Sequence, residues 1–297
     1  FKTMYLKFAN AFKYFNKINF NKFLTFKIAD FNIGYVYKPL AVKISSWFSN
    51  NFDINSESLI LYKLQNKVIN FNNLTEFFNK IAVKLLSEKI IPQITQEYFK
   101  VTPLNSDKEL FKIERTLLPL FAIRARGIHL NAYVVKNNHI YIWIAKRSKS
   151  KLLYPGKLDN LVAGAISYGY NAFNTVIKES FEEASISKDL VKNAILTQTL
   201  HYLYPYKNGI RNDTMYIYNL ELPLDFIPKQ NDGEVEEFFL IEASEVLDLM
   251  NSNSNNFKFN SAIAIISFLV NKQLINKKNT HYKSITAINK ALKKLTS

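Results

Sequence analysis

The hydrophobic and polar positions of the first hundred residues follow both strand and helix periodicities. Short segments with alternating or clustered apolar residues predict strands, and apolar residues three to four positions apart predict helices. The predicted elements are strands at 26–28 and 33–37, a helix from Pro39, a strand in 58–72 and a helix capped by Thr75 and running to Leu86. Together they predict a small α+β domain at residues 26–108, which ends in a polar loop at 105–107.

The pattern changes after about residue 111, where longer strand-like segments surround one amphipathic helix. The predicted elements are strands at 127–135, 140–145, 194–204, 214–222 and 236–241, a helix over 173–184 and a closing helix over 257–275. Strands and helices interleave without regular βαβ alternation, which favours a mixed sheet over a doubly wound one. We therefore predict an α+β protein. Its divisions are a basic extension at 1–25, the small domain at 26–108, a second domain at 109–275 and a basic tail at 276–297.

The composition indicates a folded protein with a basic balance. Hydrophobic residues make up 48% of the chain, and 39 Lys and Arg against 24 Asp and Glu give a formal charge of +15. No acid precedes Asp30 or follows Asp248, so the charge is concentrated at the two ends. Lys, Asn, Ile, Phe and Tyr are all abundant, and our main interpretation is the codon usage of an AT-rich genome. An anionic partner is the alternative.

The lack of cysteine and of a long apolar run limits the kinds of site and location that the chain can have. The chain has no cysteine, which excludes disulfides, thiolate metal ligands and a cysteine nucleophile within it. No run of 18 apolar residues occurs, so we expect no membrane span and a cytoplasmic location. The N-terminal segment is basic and aromatic and favours an ordinary amphipathic helix, with organelle targeting as the alternative.

The strongest chemical signal is a group of three glutamates in the amphipathic helix. Glu179, Glu182 and Glu183 are spaced i, i+3 and i+4, which predicts three carboxylates on one helical face. Such a group repels itself unless cations are near, and hard divalent ions prefer oxygen ligands. The competing interpretation is a solvated acidic surface on an ordinary helix.

The segment at 164–186 resembles a Nudix box. In that pattern a glycine is followed by a glutamate, by Arg-Glu, by an aliphatic residue, and by Glu-Glu, Gly and a second aliphatic residue. The three metal-binding glutamates of the box match Glu179, Glu182 and Glu183, and the first glycine matches Gly164. Four positions depart from the generic pattern: Tyr170, Lys178, Ser180 and Ser185.

The chain is more specifically similar to the Nudix domain related to fungal thiamine pyrophosphokinase. The resemblance rests on YPGKLDNLVAG at 154–164, KESFEEAS at 178–185 and LELPLDFIPKQNDGEVEEF at 220–238. In this branch Lys178 and Ser185 are usual, whereas Ala165 replaces a customary glycine. The N-terminal domain of unassigned role in that branch resembles residues 26–104. The resemblance implies a Nudix α/β/α sandwich with a mixed sheet, preceded by the small α+β domain.

The resemblance also implies roles for individual residues. Glu179, Glu182, Glu183 and the backbone carbonyl of Gly164 are expected to hold Mg²⁺, with Mn²⁺ as the alternative ion. Glu179 and Glu183 are the expected catalytic pair. Glu234 is the candidate for a further ligand or general base, and Glu236 and Glu237 are its rivals.

Three residues are candidates for substrate binding. Arg147 and Lys157 come from a basic stretch before the box and are expected to meet phosphate oxygens. Tyr202, in a series with Tyr204 and Tyr206, is expected to stack on a heteroaromatic ring, although packing in the core is the competing interpretation.

These inferences lead to one principal hypothesis and two alternatives. The principal one is a Mg²⁺-dependent hydrolase acting on a small-molecule diphosphate, thiamine diphosphate or a damaged analogue, to give a monophosphate and phosphate. A nucleotide or nucleotide-sugar diphosphatase is the first alternative. The second is a catalytically inactive Nudix scaffold that binds nucleic acid, although no nucleic-acid partner is expected because no usual RNA-binding motif is present. The pattern leaves the oligomeric state undetermined.

Overall fold

The computed structural model describes residues 17–64, 67–151, 154–252 and 256–274. Most of the predicted N-terminal extension and the whole basic tail at 276–297 lie outside the described residues. The N-terminal elements are β1 (Phe23–Ile28), β2 (Phe31–Tyr37), α1 (Lys38–Trp47), β3 (Phe52–Ile54), β4 (Ser58–Leu61), α2 (Phe71–Ser87), β5 (Tyr98–Val101) and β6 (Phe111–Glu114). The elements after them are β7 (Arg124–Lys136), β8 (His139–Arg147), β9 (Leu158–Asn160), β10 (Val162–Ala165), α3 (Ala172–Ala184), α4 (Lys188–Val191), β11 (Ile195–Tyr206), β12 (Gly209–Glu221), β13 (Val235–Glu242), α5 (Ala243–Ser252) and α6 (Phe259–Asn271).

Helix α2 corrects one prediction. Thr75 is not its N-cap: the cap is Asn70, whose side chain accepts a hydrogen bond from the Asn73 amide at 3.0 Å. Thr75 is buried inside the helix, where its hydroxyl accepts a hydrogen bond from the Lys112 amide at 3.3 Å. The helix therefore begins at Phe71. The strand predicted over 58–72 is shorter than expected, because only Ser58–Leu61 forms β4.

The N-terminal module is a four-stranded sheet packed against α1 and α2. Its strand order is β2-β1-β4-β3, with β1 parallel to β4 and the other pairs antiparallel. The hydrophobic core of this module continues through β6 to Ile123, beyond the predicted division at 108/109. That division stays a prediction.

The second sheet is mixed, as predicted. Its order is β11-β12-β7-β8-β13, in which β12 runs parallel to β7 and the remaining pairs are antiparallel. Helices α3 and α4 pack on one face, and α5 and α6 pack on the other. This is the expected α/β/α arrangement, preceded by a small α+β module.

Strand β7 changes its neighbour along its length. Residues 127–130 pair with β10, whereas residues 133–136 pair with β8. Strand β9 pairs with residues 144–146 of β8. The sheet therefore forks between β10 and β8, and α3 lies against the β10 side of the fork.

The segment at 117–123 connects the two modules through backbone contacts. The Phe121 carbonyl accepts a hydrogen bond from the Tyr35 amide at 3.0 Å, and the Pro119 carbonyl accepts one from the Ile210 amide at 2.9 Å. Gly34 and Gly209 make these approaches feasible, because a Cβ at either position would lie 2.1 or 2.2 Å from a carbonyl oxygen of the segment.

Candidate active site

Helix α3 is fixed at both ends by side-chain hydrogen bonds. The Asn171 side chain caps its N-terminus by accepting from the Asn174 amide at 2.8 Å. Ser185 ends it in the left-handed conformation, with φ of 54°, and its hydroxyl donates to the Lys229 carbonyl at 2.6 Å. This capping gives Ser185 a role at a position where the Nudix pattern has glycine, which adopts the same conformation more readily.

The three glutamates are close together but do not share one environment. The Lys178 ammonium bridges two of them, donating to Glu179 at 3.1 Å and to Glu182 at 2.6 Å. The Glu183 carboxylate points elsewhere and accepts a hydrogen bond from the Ala163 amide of β10 at 2.9 Å. Among residues 17–64, 67–151, 154–252 and 256–274, no three acid or histidine side chains converge in the geometry of a metal site. The predicted metal roles stay predictions.

The electrostatics of the group nevertheless fit a cation. Burial raises the pKa of Glu183 well above its usual range; the Ala163 hydrogen bond opposes this, and the charges of Asp159, Glu179 and Glu234 add to it. Burial also raises the pKa of Glu179, against the opposing effect of Lys178. Both carboxylates therefore resist ionisation unless more positive charge is supplied. Lys178, placed between two of the carboxylates, shows where a cation is favourable.

Gly164 leaves room for the Glu179 side chain as it lies in the structure. A Cβ added at Gly164 would lie 2.5 Å from Cγ and 2.6 Å from Cδ of the Glu179 side chain. Gly164 thus leaves space for the side chain of Glu179 in α3. Its backbone is held by antiparallel pairing with Ile128 of β7.

Glu234 is brought towards this group by the loop before β13. The loop docks on the end of α3, where the Asn231 amide donates to the Glu182 carbonyl at 2.9 Å and its side chain donates to the Phe181 carbonyl at 2.7 Å. The Glu234 carboxylate forms an ion pair with Lys151 and contributes to the raised pKa values of Glu179 and Glu183. Its predicted role as ligand or base is untested by this arrangement.

The rivals of Glu234 lie in β13, which begins directly after it. Lys146 pairs with Glu236 at 3.0 Å and with Glu237 at 4.0 Å. A bulge between Val235 and Glu237 interrupts the regular alternation of side chains at the start of this strand.

The predicted substrate-binding residues lie in three different settings. Arg147 is largely buried and donates to Asp159 at 2.9 Å and to the Tyr154 carbonyl at 3.2 Å. Lys157 is partly buried in the turn before β9. Tyr202 is 6% exposed and packs in the core beneath α5 and α6. This is the packing role that was the alternative to stacking on a substrate ring. Their substrate roles stay predictions.

Asp159 was missed by the sequence reasoning, although it is the centre of the charges on β9. This carboxylate is buried and accepts from Arg147 and Lys258, each at 2.9 Å, and from the Ser261 hydroxyl. Burial alone would raise the pKa of Asp159, but the positive charges of Lys258 and Arg147 outweigh it and hold the pKa well below its usual range. A charged residue inside the conspicuous YPGKLDN segment was the signal that could have identified it.

A chain of buried amides continues from Asp159 across the fork. His129 Nδ1 lies 2.8 Å from the Asn160 side-chain oxygen, and the Asn160 amide donates to Asn131 at 2.6 Å. Asn131 donates in turn to Asn219 at 3.1 Å and to the Ala264 carbonyl of α6 at 3.0 Å. These bonds satisfy the polar groups at the point where β7 changes its neighbour.

We expect acidification to destabilise the protein through His129. Burial, followed by the charge of Lys258, lowers the pKa of His129 from 6.5 to about 4. The unfolded chain therefore binds a proton first, so the stability gained from neutral His129 is present above pH 6.5 and lost as the pH falls towards 4. The difference corresponds to about 3 kcal/mol. Urea unfolding between pH 7 and 4 measures it.

Two variants separate His129 from other acid-sensitive groups. His129→Asn is expected to flatten the pH dependence of the unfolding free energy. His139→Asn, which removes an exposed histidine paired with Glu242, is expected to change it much less, because an exposed ion pair contributes little. An equal slope in wild type and His129→Asn contradicts the assignment.

Ser180 gives a second prediction because its buried hydroxyl has no hydrogen-bond partner within the described part of the chain. Ser180→Ala is expected to raise the free energy of unfolding by about 1 kcal/mol, since an unsatisfied buried hydroxyl is costly. Ser185→Ala makes the same chemical change and is expected to lower the stability, because it removes the hydrogen bond to Lys229. Thermal unfolding of both variants tests the opposite signs.

Comparison with known proteins identifies the family. A family model described as a domain of unknown function (DUF4743) matches residues 4–125. An uncharacterised Nudix hydrolase of Nostoc sp. is 31% identical over 122 residues, covering 41% of this chain and 68% of that protein. The chain belongs to the Nudix hydrolase family. The position of its box at 164–186, with Glu179, Glu182 and Glu183 as the family glutamates, stays a prediction.

Longer matches extend beyond the Nudix box. Nudix hydrolase 20, chloroplastic, of Arabidopsis thaliana is 39% identical over 202 residues, covering 68% of this chain and 54% of that protein. An uncharacterised protein of Saccharomyces cerevisiae is 29% identical over 266 residues, covering 83% of this chain and 76% of that one. The chain thus spans about half the length of the Arabidopsis Nudix relative.

A search of solved structures gives weaker likenesses. A protein of Deinococcus radiodurans is 20% identical with a TM-score of 0.41, covering 57% of this chain and 97% of that one. The family assignment depends on the sequence relatives. Within the described residues, no helix is both long and apolar enough to cross a membrane.

Proposed function

We propose that this Nudix protein hydrolyses a diphosphate linkage with the help of a divalent cation. The observation that carries the proposal is the charge-crowded group of Glu179 and Glu183, which Lys178 and the Ala163 amide only partly compensate; burial raises the pKa of both carboxyls, and neighbouring carboxylates add to the effect. Carboxylate oxygens are the ligands that Mg²⁺ prefers, with Mn²⁺ as the alternative. Glu179, Glu182, Glu183 and the Gly164 carbonyl would hold the ion.

The reaction would transfer the terminal phosphoryl group to water. When bound, the cation supplies positive charge that neutralises phosphoryl oxygens and favours attack by water. The water oxygen bonds to phosphorus, the bond from phosphorus to the bridging oxygen breaks, and a monophosphate and phosphate are released. Glu234 would accept the proton of the water. The ion pair between Glu234 and Lys151 is half-exposed and therefore weak. A phosphate oxygen of the substrate can replace the Glu234 carboxylate as the partner of Lys151, which frees the carboxylate.

Arg147 and Lys157 would position the substrate phosphates. Arg147 is oriented by Asp159 and by the Tyr154 carbonyl, which limits its movement. Lys157 follows the same turn. A fixed guanidinium suits recognition of phosphate oxygens, because less side-chain freedom is lost on binding.

The substrate we propose is thiamine diphosphate or a damaged analogue of it. This choice is supported by the resemblance of residues 154–164, 178–185 and 220–238 to the thiamine-related branch. The other candidates are nucleotide and nucleotide-sugar diphosphates. We place the protein in the cytoplasm, with an organelle as the alternative suggested by the chloroplastic relatives.

A phosphate-release screen tests the proposal. The substrates are thiamine diphosphate, its oxidised analogues, nucleoside triphosphates and nucleotide sugars, each with Mg²⁺, with Mn²⁺ and with chelator. We expect metal-dependent release of phosphate, fastest from the thiamine-type diphosphates. Turnover of none of these compounds, or turnover unaffected by chelator, contradicts the proposal. Faster turnover of nucleotides changes the substrate and leaves the diphosphate hydrolysis intact.

A further inference from the structure

The β11–β12 hairpin carries polar and aromatic side chains that the diphosphate chemistry does not use. In its antiparallel register Tyr202 lies opposite Asp213, and Tyr204 lies opposite Arg211. Cross-strand partners project from the same face of a sheet. Leu200, Met215 and Tyr202 pack in the core beneath α5 and α6, so Arg211 and Asp213 project from that face as well.

Arg211 and Asp213 are partly buried charges whose hydrogen-bonding groups are unused. Throughout the part of the chain that the structure describes, neither side chain forms a hydrogen bond or an ion pair. The guanidinium carbon of Arg211 lies 5.1 Å from the centre of the Tyr206 ring, and the group interacts electrostatically with Asp213, Tyr154 and Tyr202. The neighbour of Asp213 on β7 is Ala125, which has no polar side-chain atom to offer.

Both side chains lie partly out of water, where a charged group gains from a polar partner, yet the protein itself offers neither of them a hydrogen bond within the described residues. Burial raises the pKa of Asp213, and only Arg211 opposes that effect. A ligand that offers an N–H donor to Asp213 and an acceptor to Arg211 would satisfy both groups at once.

The chemistry of the pair limits the kind of ligand. A phosphate would meet Arg211 favourably but would be repelled by Asp213. An aliphatic group would leave both charges unsatisfied. A flat nitrogen heterocycle with a donor and an acceptor on one edge matches both, and its faces suit the tyrosines of the same surface.

Tyr154 connects this surface with the diphosphate site. It lies near enough to interact electrostatically with both Arg211 and Tyr202. Its carbonyl accepts the hydrogen bond from Arg147, which pairs with Asp159, and Asp159 contributes in turn to the electrostatics of Glu183. The segment at 154–160 therefore adjoins both the carboxylates and the Arg211–Asp213 pair.

We propose that Arg211 and Asp213 recognise the hydrogen-bonding edge of a pyrimidine-type ring, the organic half of the substrate, with Tyr154 and Tyr206 beside its faces. Asp213 accepts from a ring or amino N–H, and Arg211 donates to the adjacent ring nitrogen or carbonyl. The inference rests on the proposed diphosphate hydrolysis for the identity of the other half of the ligand. It makes these two residues determinants of specificity, with no part in the bond cleavage.

Calorimetric titration of the full chain with two monophosphates tests the proposal without turnover. Thiamine monophosphate carries an aminopyrimidine, whereas benzyl phosphate has an aromatic ring without edge donors or acceptors. We expect wild type to prefer thiamine monophosphate. Asp213→Asn and Arg211→Met are expected to weaken its binding about ten- to hundredfold, the usual effect of losing a hydrogen bond to a charged group. Their affinity for benzyl phosphate should stay within a factor of about two.

Matched measurements separate folding and catalysis from recognition. Asp189→Asn alters an exposed acid of α4 and should bind like wild type. Thermal unfolding of Asp213→Asn should show equal or greater stability, because an unpaired carboxylate is removed. Unchanged binding of thiamine monophosphate by both variants, or no preference in wild type, overturns the inference even if diphosphates are hydrolysed. Variant-sensitive binding without hydrolysis of any diphosphate supports the ring site and rejects the proposed function.

Discussion

Glu183→Gln is expected to abolish most diphosphate hydrolysis while leaving the protein folded. Glutamine keeps an oxygen that can accept from the Ala163 amide but removes the charge that a divalent cation needs. Cation binding to phosphoryl oxygens is worth several kcal/mol in the transition state, so the expected loss in kcat/KM is about 100-fold or more. Steady-state phosphate release with saturating Mg²⁺ measures it.

The thermal stability of Glu183→Gln should stay equal or rise, although its activity falls. The folded-state pKa of Glu183 is raised, so its ionisation costs stability as the pH rises through that pKa. Without metal, Glu183→Gln should unfold at an equal or higher temperature than wild type. Added Mg²⁺ should raise the midpoint of wild type more than that of the variant. Glu245→Gln, an exposed change in α5, is the control and should match wild type throughout. Full activity in Glu183→Gln would falsify the metal assignment.

Asp159→Asn is expected to cause a large loss of stability. The change leaves the buried cations of Arg147 and Lys258 without their shared counter-charge. Removing one partner of a buried ion pair costs about 3–5 kcal/mol, which lowers the thermal midpoint of a domain this size by about 10 °C. The pKa of Asp159 is lowered in the folded state, so its contribution is present above the unfolded pKa and lost only in strong acid.

The exposed ion pair of Asp189 with Lys192 is the matched control for Asp159. Their side chains are 90% and 63% exposed, so Asp189→Asn should leave the free energy of unfolding nearly unchanged. Differential scanning calorimetry of both variants at pH 7 gives the comparison. Equal midpoints in the two variants would show that the Asp159 cluster contributes no special stability.

Regular elements were predictable because their apolar periodicity is local. The long strands β7, β8, β11 and β12, and the helix carrying the glutamates, follow from that periodicity. The start of α2 was not predictable, since Asn70 and Thr75 are both plausible caps and tertiary packing against Lys112 buries the threonine. Local helix propensity carries no information about a contact between Thr75 and Lys112, which are distant in the sequence.

Candidate residues for the site could be named from the sequence, but their geometry could not be predicted. Helical spacing identified Glu179, Glu182 and Glu183 and implied one shared face. The structure separates them, because Glu183 bonds to β10 and Lys178 bridges the other two. Asp159 depends on partners from β8 and α6, and only the folded chain brings these together.

The paired glycines at 34 and 209 have a consequence for how the molecule can be divided. Each lets a different module approach the backbone of the segment at 117–123, and that segment contributes Leu117, Leu118, Phe121 and Ile123 to the N-terminal core. A fragment cut at residue 108 would expose this apolar surface and lose the backbone hydrogen bonds to β2. The segment at 117–123 therefore joins the two modules through main-chain contacts, and a side-chain substitution elsewhere cannot replace them.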